Sequence, residues 1–119
     1  MTAIARAMGA ALAAAGLFAV SALGASGGEP SSAPSPSRER ELLALLKQDC
    51  GSCHGMRLTG GLGPALTPAA LRTKPAESLV ATIVSGRPGT AMPPWRRFVS
   101  EAEARWLVAR MVSGDVNAP

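Results

Sequence analysis

Cys50-Gly51-Ser52-Cys53-His54 is the pentapeptide around which the rest of this 119-residue chain is organised. Two thiols three positions apart at the end of a helix lie on one face, where both can add to the vinyl groups of one porphyrin as thioethers. The histidine that follows at once is then held over the iron as the proximal ligand. The C-x-x-C-H pattern therefore predicts one covalently attached haem c, bound by Cys50 and Cys53, with His54 on the iron.

Three other interpretations of the same residues are weaker. Structural zinc normally takes four ligands, whereas the chain has two cysteines and one histidine in total. A thioredoxin-like dithiol needs a βαβ context, and no segment alternates as a strand does. A chance pair of cysteines is the third interpretation, and an export signal in the same chain argues against it.

The sixth iron ligand is predicted to be Met92. His54 is the only histidine, so two histidine ligands within one chain are excluded. Two methionines lie in the leader, Met56 is too close to His54 to reach the opposite haem face, and Met111 falls on a helical stripe. Two prolines follow Met92 and stiffen the loop that would present its thioether. The alternative is that Met92 only fills a gap beneath that loop.

Several residues near the two predicted ligands have more than one interpretation. The Pro64 carbonyl either accepts a hydrogen bond from the free ring N–H of His54 or simply lies in a turn. Trp95 either packs on the haem edge or is a core aromatic. Four arginines are candidate partners of the haem propionates, part of a docking face, or solvated surface charges: Arg57, Arg87, Arg96 and Arg97.

The first 25 residues are typical of a secretory signal. Arg6 supplies the positive charge, and residues 7–20 are an unbroken run of apolar and small residues. An uncleaved anchor is the alternative, because the run is only a little short of spanning length. Either interpretation places the domain outside the cytoplasm, in the periplasm, and a cleaved leader leaves no stable membrane insertion.

Beyond the leader, the chain divides into a linker (26–37), a folded domain (38–113) and a tail (114–119). The linker is rich in Ser, Pro and Gly and lacks the apolar periodicity needed to fold. The domain is small, and a covalent haem would supply the centre of its core. Two loops rich in Gly and Pro, at 55–68 and 86–94, allow the backbone to approach a flat ligand closely.

Three amphipathic helices are predicted within the domain. The first begins near Ser37, the second at Pro75, and the third at a capping box formed by Ser100 and Glu103. A short turn is also expected at Thr67-Pro68. The apolar stripes of the three helices are Leu42, Leu43, Leu45 and Leu46; Ala76, Leu79, Val80, Ile83 and Val84; and Ala104, Leu107, Val108 and Met111.

The basic charge does not indicate a nucleic-acid partner. The formal charge is +4 and the basic residues are scattered along the sequence. Removing Arg6 with the leader leaves +3, and two ionised haem propionates would bring it to about +1. Nucleic-acid binding is therefore not expected. The protein is expected to be a monomer.

With these motifs the chain resembles the class I cytochromes c. The resemblance lies in Cys50-x-x-Cys53-His54, Gly63-Pro64-x-Leu66, Met92-Pro93 and a last helix that carries an aromatic residue, Trp106. It implies a small all-α bundle around one covalently attached haem, with the Pro64 carbonyl on His54 and Met92 as distal ligand. It also implies that the first and last helices cross near Trp106.

Two longer stretches, 53–66 and 85–95, are similar to the cytochrome c55X family of small periplasmic cytochromes. That resemblance implies an electron carrier, not an enzyme, that serves cytochrome cd1 nitrite reductase in denitrification. Its alternative is a redox partner or assembly factor in haem d1 maturation or reductase activation. A haem enzyme or gas sensor is the third hypothesis, and it requires Met92 to be absent from the iron or readily displaced.

Overall fold

The computed structural model describes residues 33–117, and within that range the chain is all-helical, without a β-strand. The predicted leader and most of the linker lie outside the described residues. Over 33–117 no helix is long and apolar enough to cross a membrane. The helices are α1 (Pro36–Leu45), which continues through a π-helical segment (Leu46–Cys50) into α2 (Gly51–His54), then α3 (Pro68–Leu71), α4 (Ala76–Ser85) and α5 (Glu101–Ser113).

Helix α1 begins slightly earlier than the sequence predicts. Ser35 is its N-cap, and the Ser35 hydroxyl accepts a hydrogen bond of 3.3 Å from the backbone N–H of Arg38. Pro36 suits the first helical position, where its missing N–H needs no partner. The predicted start near Ser37 is therefore correct to within one residue, but the cap is Ser35 and not Ser37, and Pro36 and Ser37 belong to α1 and not to the linker.

Most of the buried apolar residues come from α1, its π-helical continuation and α5. Three of the four predicted leucines of the first stripe are fully buried, and Leu45 is partly buried. All four predicted residues of the last helix are buried, including Met111, whose packing role is confirmed. Helix α4 contributes one fully buried residue, Val80. Within residues 33–117, the buried apolar residues are Leu42, Leu43, Leu46, Leu58, Leu71, Val80, Val99, Ala104, Leu107, Val108 and Met111.

One arginine ties the first helix to the start of the last. Arg38 Nε donates to Glu103 Oε1 at 2.6 Å, and its Nη2 donates to the Phe98 carbonyl at 2.6 Å. Glu103 also accepts from the backbone N–H of Ser100 at 2.7 Å, which completes the predicted capping box. The hydrogen bond from Arg38 lowers the pKa of Glu103 to about 2. Arg38 thereby links the start of α1 to the start of α5.

Candidate haem site

The two thiols stand at the end of the helical run that starts at Pro36. Cys50 closes the π-helical segment, and Cys53 lies in α2, three residues later, so that the two share one side of the helix. Both cysteines are free and partly buried. Burial, with a smaller contribution from the Asp49 carboxylate, raises the pKa of the Cys50 thiol to about 11. The pair is thus available for covalent attachment and is not joined as a disulfide.

The imidazole of His54 is held by a backbone carbonyl. Its Nδ1 lies 2.7 Å from the Pro64 carbonyl oxygen, and the residue is 8% exposed. A carbonyl oxygen can only accept a hydrogen bond, so Nδ1 carries the proton and donates it. In the neutral ring, Nε2 is then left with a free lone pair. This is the tautomer that a metal ligand requires.

The loop after His54 folds back onto the end of α2. The His54 carbonyl accepts from the Gly60 N–H at 2.8 Å, and the Cys53 carbonyl accepts from the Gly63 N–H at 2.8 Å. These bonds satisfy two carbonyls that the end of a helix leaves without partners. Leu58 is buried within this loop with a φ of 58°, a left-handed conformation that is uncommon for a branched side chain. The loop therefore has one defined shape.

Gly63 is a site residue whose role sequence reasoning missed. A Cβ at this position would lie 2.7 Å from Cε1 and 2.8 Å from Nδ1 of His54. The glycine lets the loop backbone lie directly against the imidazole ring. The dipeptide Gly63-Pro64 was the available signal, but the pattern of a turn does not reveal which side chain the glycine touches.

Met92 lies in a second anchored loop. The Met92 carbonyl accepts from the Arg87 N–H at 3.1 Å, and the Trp95 N–H donates to the Ile83 carbonyl at 3.0 Å, which returns the loop to the end of α4. Gly86 ends that helix with a φ of 67°, and a Cβ there would lie 2.8 Å from the Met92 carbonyl oxygen. Met92 is partly buried. Its backbone is thus held in place on both sides.

The remaining candidate residues are also located. Trp95 is partly buried, with its ring centroid 5.9 Å from that of Phe98. Trp106 is partly buried in α5, with the Arg110 guanidinium 5.0 Å from its ring centroid. The four candidate arginines are exposed. Their assignment to propionates, and that of Trp95 to a haem edge, stay predictions.

These donors suit haem c. Two free thiols on one helical side match the two vinyl groups, and an imidazole with an unprotonated Nε2 and a thioether are ligands that haem iron takes in electron-transfer cytochromes. The structure brings Pro64 to His54 by a direct hydrogen bond. Met92 belongs to a separate loop.

Comparisons with known proteins give the family. A family described as cytochrome C oxidase, cbb3-type, subunit III, matches residues 37–111. Cytochrome c55X of Pseudomonas aeruginosa is 63% identical over 83 residues, which cover 70% of this chain and 70% of that protein. The solved structure of the c-type cytochrome NirC is 62% identical, with a TM-score of 0.69, and the match covers 72% of this chain and all of that one.

A larger protein shares the same region. Dihydro-heme d1 dehydrogenase of Pseudomonas aeruginosa is 39% identical over 77 residues, which cover 64% of this chain and 15% of that protein. The similarities to cytochrome c55X and NirC indicate an electron-transfer protein with haem c and its iron, associated with denitrification, and not an enzyme. The chain belongs to the cytochrome c55X family of class I c-type cytochromes.

Proposed function

We propose that this chain is a periplasmic carrier of single electrons, with one covalent haem c, that donates electrons to cytochrome cd1 nitrite reductase. The observation that carries the proposal is the 2.7 Å contact between His54 Nδ1 and the Pro64 carbonyl oxygen. That contact leaves Nε2 free to bind iron, directly beside two free thiols.

Each residue of the site has a distinct role in this proposal. Cys50 and Cys53 would hold the haem through thioethers, His54 Nε2 and the Met92 sulfur would bind its iron, and Pro64 orients the imidazole. Haem c, when bound, supplies an iron that alternates between the ferrous and ferric states. A thioether ligand from Met92 would favour ferrous iron and leave no open position on it, so the site would suit electron transfer and not substrate binding.

Ligation by Met92 is tested by comparing two methionine variants. We expect Met92→Ala to lower the midpoint potential and to let the reduced protein bind carbon monoxide at neutral pH. Met56→Ala is the matched control, because Met56 is 67% exposed and lies near His54 in sequence. A Met92→Ala protein that kept the wild-type absorption spectrum and potential would refute the assignment and revive a sensor or enzyme function.

Electron donation is tested with the reductase itself. The reduced, haem-loaded chain is mixed with purified cytochrome cd1 nitrite reductase and nitrite in a stopped-flow spectrometer, and loss of the ferrous haem c bands is followed. Fast, saturable reoxidation that depends on both additions supports donation through a weak, transient complex. Reoxidation no faster than with nitrite alone excludes it.

A redox role in haem d1 maturation or reductase activation is the second candidate. The 39% identity with dihydro-heme d1 dehydrogenase favours it. In this function the ferric chain would accept electrons instead of delivering them. Reduction of the ferric chain by that dehydrogenase and its substrate, without any donation to nitrite reductase, is the result that would select this candidate.

The proposed location and state follow from the predicted leader. We infer that residues 1–25 direct export and are then cleaved, which leaves a periplasmic monomer that is not inserted in a membrane. Amino-terminal sequencing of the haem-containing protein from a periplasmic fraction tests cleavage, and light scattering tests the monomer. A mature protein that still begins at Met1 would support the anchor instead.

A further inference from the structure

We propose that Arg38 is a positioning residue for the predicted Met92 ligand, because it joins the helical run that ends at His54 to the turn that follows Met92. The inference rests on the proposed function, in which His54 and Met92 bind the same iron. These two residues belong to segments that are far apart in sequence. Whatever holds the two segments together therefore affects how firmly both ligands stay on one iron.

The first segment is a continuous helical run that leads from Arg38 to His54. Helix α1, the π-helical segment and α2 follow each other without a break. Three leucines of this run are buried in the core. From Arg38 to His54 the run rises about 24 Å over its 16 residue steps. A packed helix of this length is a rigid element, so a contact near one end restricts movement of the other.

The second segment begins at Met92 and is anchored to the end of α4. The Trp95 N–H donates to the Ile83 carbonyl at 3.0 Å, and the Arg96 N–H donates to the Val84 carbonyl at 3.3 Å. Both hydrogen bonds join this segment to α4 alone. They leave its position relative to the first segment to be set by other contacts.

The second segment ends in a turn around Phe98. The N–H groups of Phe98 and Val99 both donate to the Trp95 carbonyl, at 2.9 Å and 3.0 Å. Val99 is buried, but apolar contacts have no preferred direction. The Phe98 side chain is 62% exposed and adds little burial. A directional contact to the Phe98 carbonyl oxygen is therefore what fixes the orientation of the turn.

Arg38 supplies that contact. Its Nη2 donates to the Phe98 carbonyl at 2.6 Å. Its Nε donates to Glu103 Oε1 at 2.6 Å, and its Nη1 donates to Glu41 Oε2 at 2.8 Å. The two carboxylates hold the planar guanidinium in one orientation, because its donors form a fixed fork. The donor that faces the turn is thus preorganised.

This hydrogen bond is where the two ligand-bearing segments are joined. Within residues 33–117, no other hydrogen bond connects residues 36–54 to residues 86–100. Coupling through rigid elements changes an equilibrium at a distant site by about three- to thirtyfold. Loss of the Arg38 side chain should therefore let Met92 leave the iron more readily, although Arg38 is not itself a ligand.

The test measures how readily imidazole replaces Met92 on the ferric haem of the haem-loaded chain. Imidazole binds only after the methionine has left, so its dissociation constant falls as that ligand loosens. We expect Arg38→Met to lower the constant about three- to thirtyfold. Glu103→Gln is the matched control, because it removes the same ion pair and leaves the Phe98 carbonyl bonded. It should stay within about twofold of the wild type.

A second control separates the loss of one arginine from the loss of this contact. Arg105 pairs with Glu77 and Glu101 and makes no hydrogen bond to residues 86–100. Arg105→Met should therefore also leave the imidazole dissociation constant within about twofold of the wild type.

A double variant separates the role of Arg38 from the ligand assignment on which it rests. If Arg38 acts through Met92, adding Arg38→Met to a Met92→Ala protein should not change imidazole binding further. A Met92→Ala protein that bound imidazole no more tightly than the wild type would reject Met92 as a ligand. Tighter binding by Met92→Ala together with unchanged binding by Arg38→Met would overturn the role of Arg38 alone.

Two other results would also overturn the proposal. Equal dissociation constants for Arg38→Met and Glu103→Gln would assign the effect to the ion pair. An equal gain from Arg38→Met in the Met92→Ala protein would show that the effect does not pass through Met92. Should Arg38→Met fail to fold, Arg38→Lys takes its place in every comparison, because lysine can still pair with Glu103 but lacks the planar fork that also reaches Phe98.

Discussion

Replacing Gly63 by alanine should detach the His54 imidazole from Pro64. The new Cβ would lie 2.7 Å from Cε1 and 2.8 Å from Nδ1 of the ring. Carbon atoms in favourable contact are about 3.5–4.0 Å apart, so the overlap is about 1 Å. Either the ring or the loop must move by a similar amount. The Nδ1 hydrogen bond, now 2.7 Å long, would not survive that movement with good geometry.

The energetic cost follows from two effects. Overpacking a well-packed site costs about 1–3 kcal/mol. Leaving the buried Nδ1–H without its acceptor costs about 1–3 kcal/mol more. The two costs overlap, because the movement that relieves the contact is the one that breaks the hydrogen bond. We therefore expect Gly63→Ala to lower the free energy of unfolding by about 2–4 kcal/mol.

The assay is guanidinium unfolding of the haem-loaded protein, together with its midpoint potential. Losing the hydrogen bond makes the imidazole a weaker donor to iron, so the potential should rise. Pro64→Ala is the matched control, because it keeps the carbonyl that accepts the bond and should cost only about 0.4–1 kcal/mol. Equal stability and equal midpoint potential of Gly63→Ala and Pro64→Ala would contradict the predicted loss of the hydrogen bond.

Three further predictions concern the ends of helices. Arg38 lowers the pKa of Glu103 from 4.5 to about 2, so the pair stabilises the fold above pH 4.5 and this stabilisation is lost as the pH falls toward 2. Glu103→Gln should remove about 1–2 kcal/mol at pH 7, allowing for the 34% exposure of Arg38, and urea midpoints at pH 7 and pH 3 should then differ less than in the wild type. Ser100→Ala should cost about 1 kcal/mol in thermal unfolding, and an unchanged melting temperature would contradict the capping role. At Gly86, an alanine would have to adopt a φ of 67°, and its Cβ would lie 2.7 Å from the Pro93 carbonyl carbon. Gly86→Ala should therefore lower the free energy of unfolding by about 2–4 kcal/mol and weaken the absorption band of methionine-ligated ferric haem. A variant that retained that band in full would count against the anchoring of Met92.

Sequence alone predicted the helices wherever the deciding interactions are local. The apolar stripe of α5 and its Ser100–Glu103 capping box were confirmed, and the short turn predicted at Thr67-Pro68 is present as the one-turn helix α3. Each depends on residues within one or two turns of each other, so the local order of amino acids is enough to predict it. The cap of α1 was misjudged because Ser35 and Ser37 flank Pro36, and only the backbone angles show which serine is the cap.

The chemistry of the site was also predicted from residue types. The spacing of Cys50, Cys53 and His54 predicts covalent attachment, and elimination among the methionines predicts Met92 as a ligand; both stay predictions. The structure adds what distant segments contribute. Gly63 lies against His54 because the loop between them reverses direction, and Arg38 bonds Glu103 across 65 positions of sequence. Contacts of this kind depend on how packed helices and loops meet in space, and no local pattern encodes that arrangement. The bonding capacity of each residue is set by its own side chain, which is why the sequence by itself predicts the ligands, whereas only the tertiary structure decides how His54 is held.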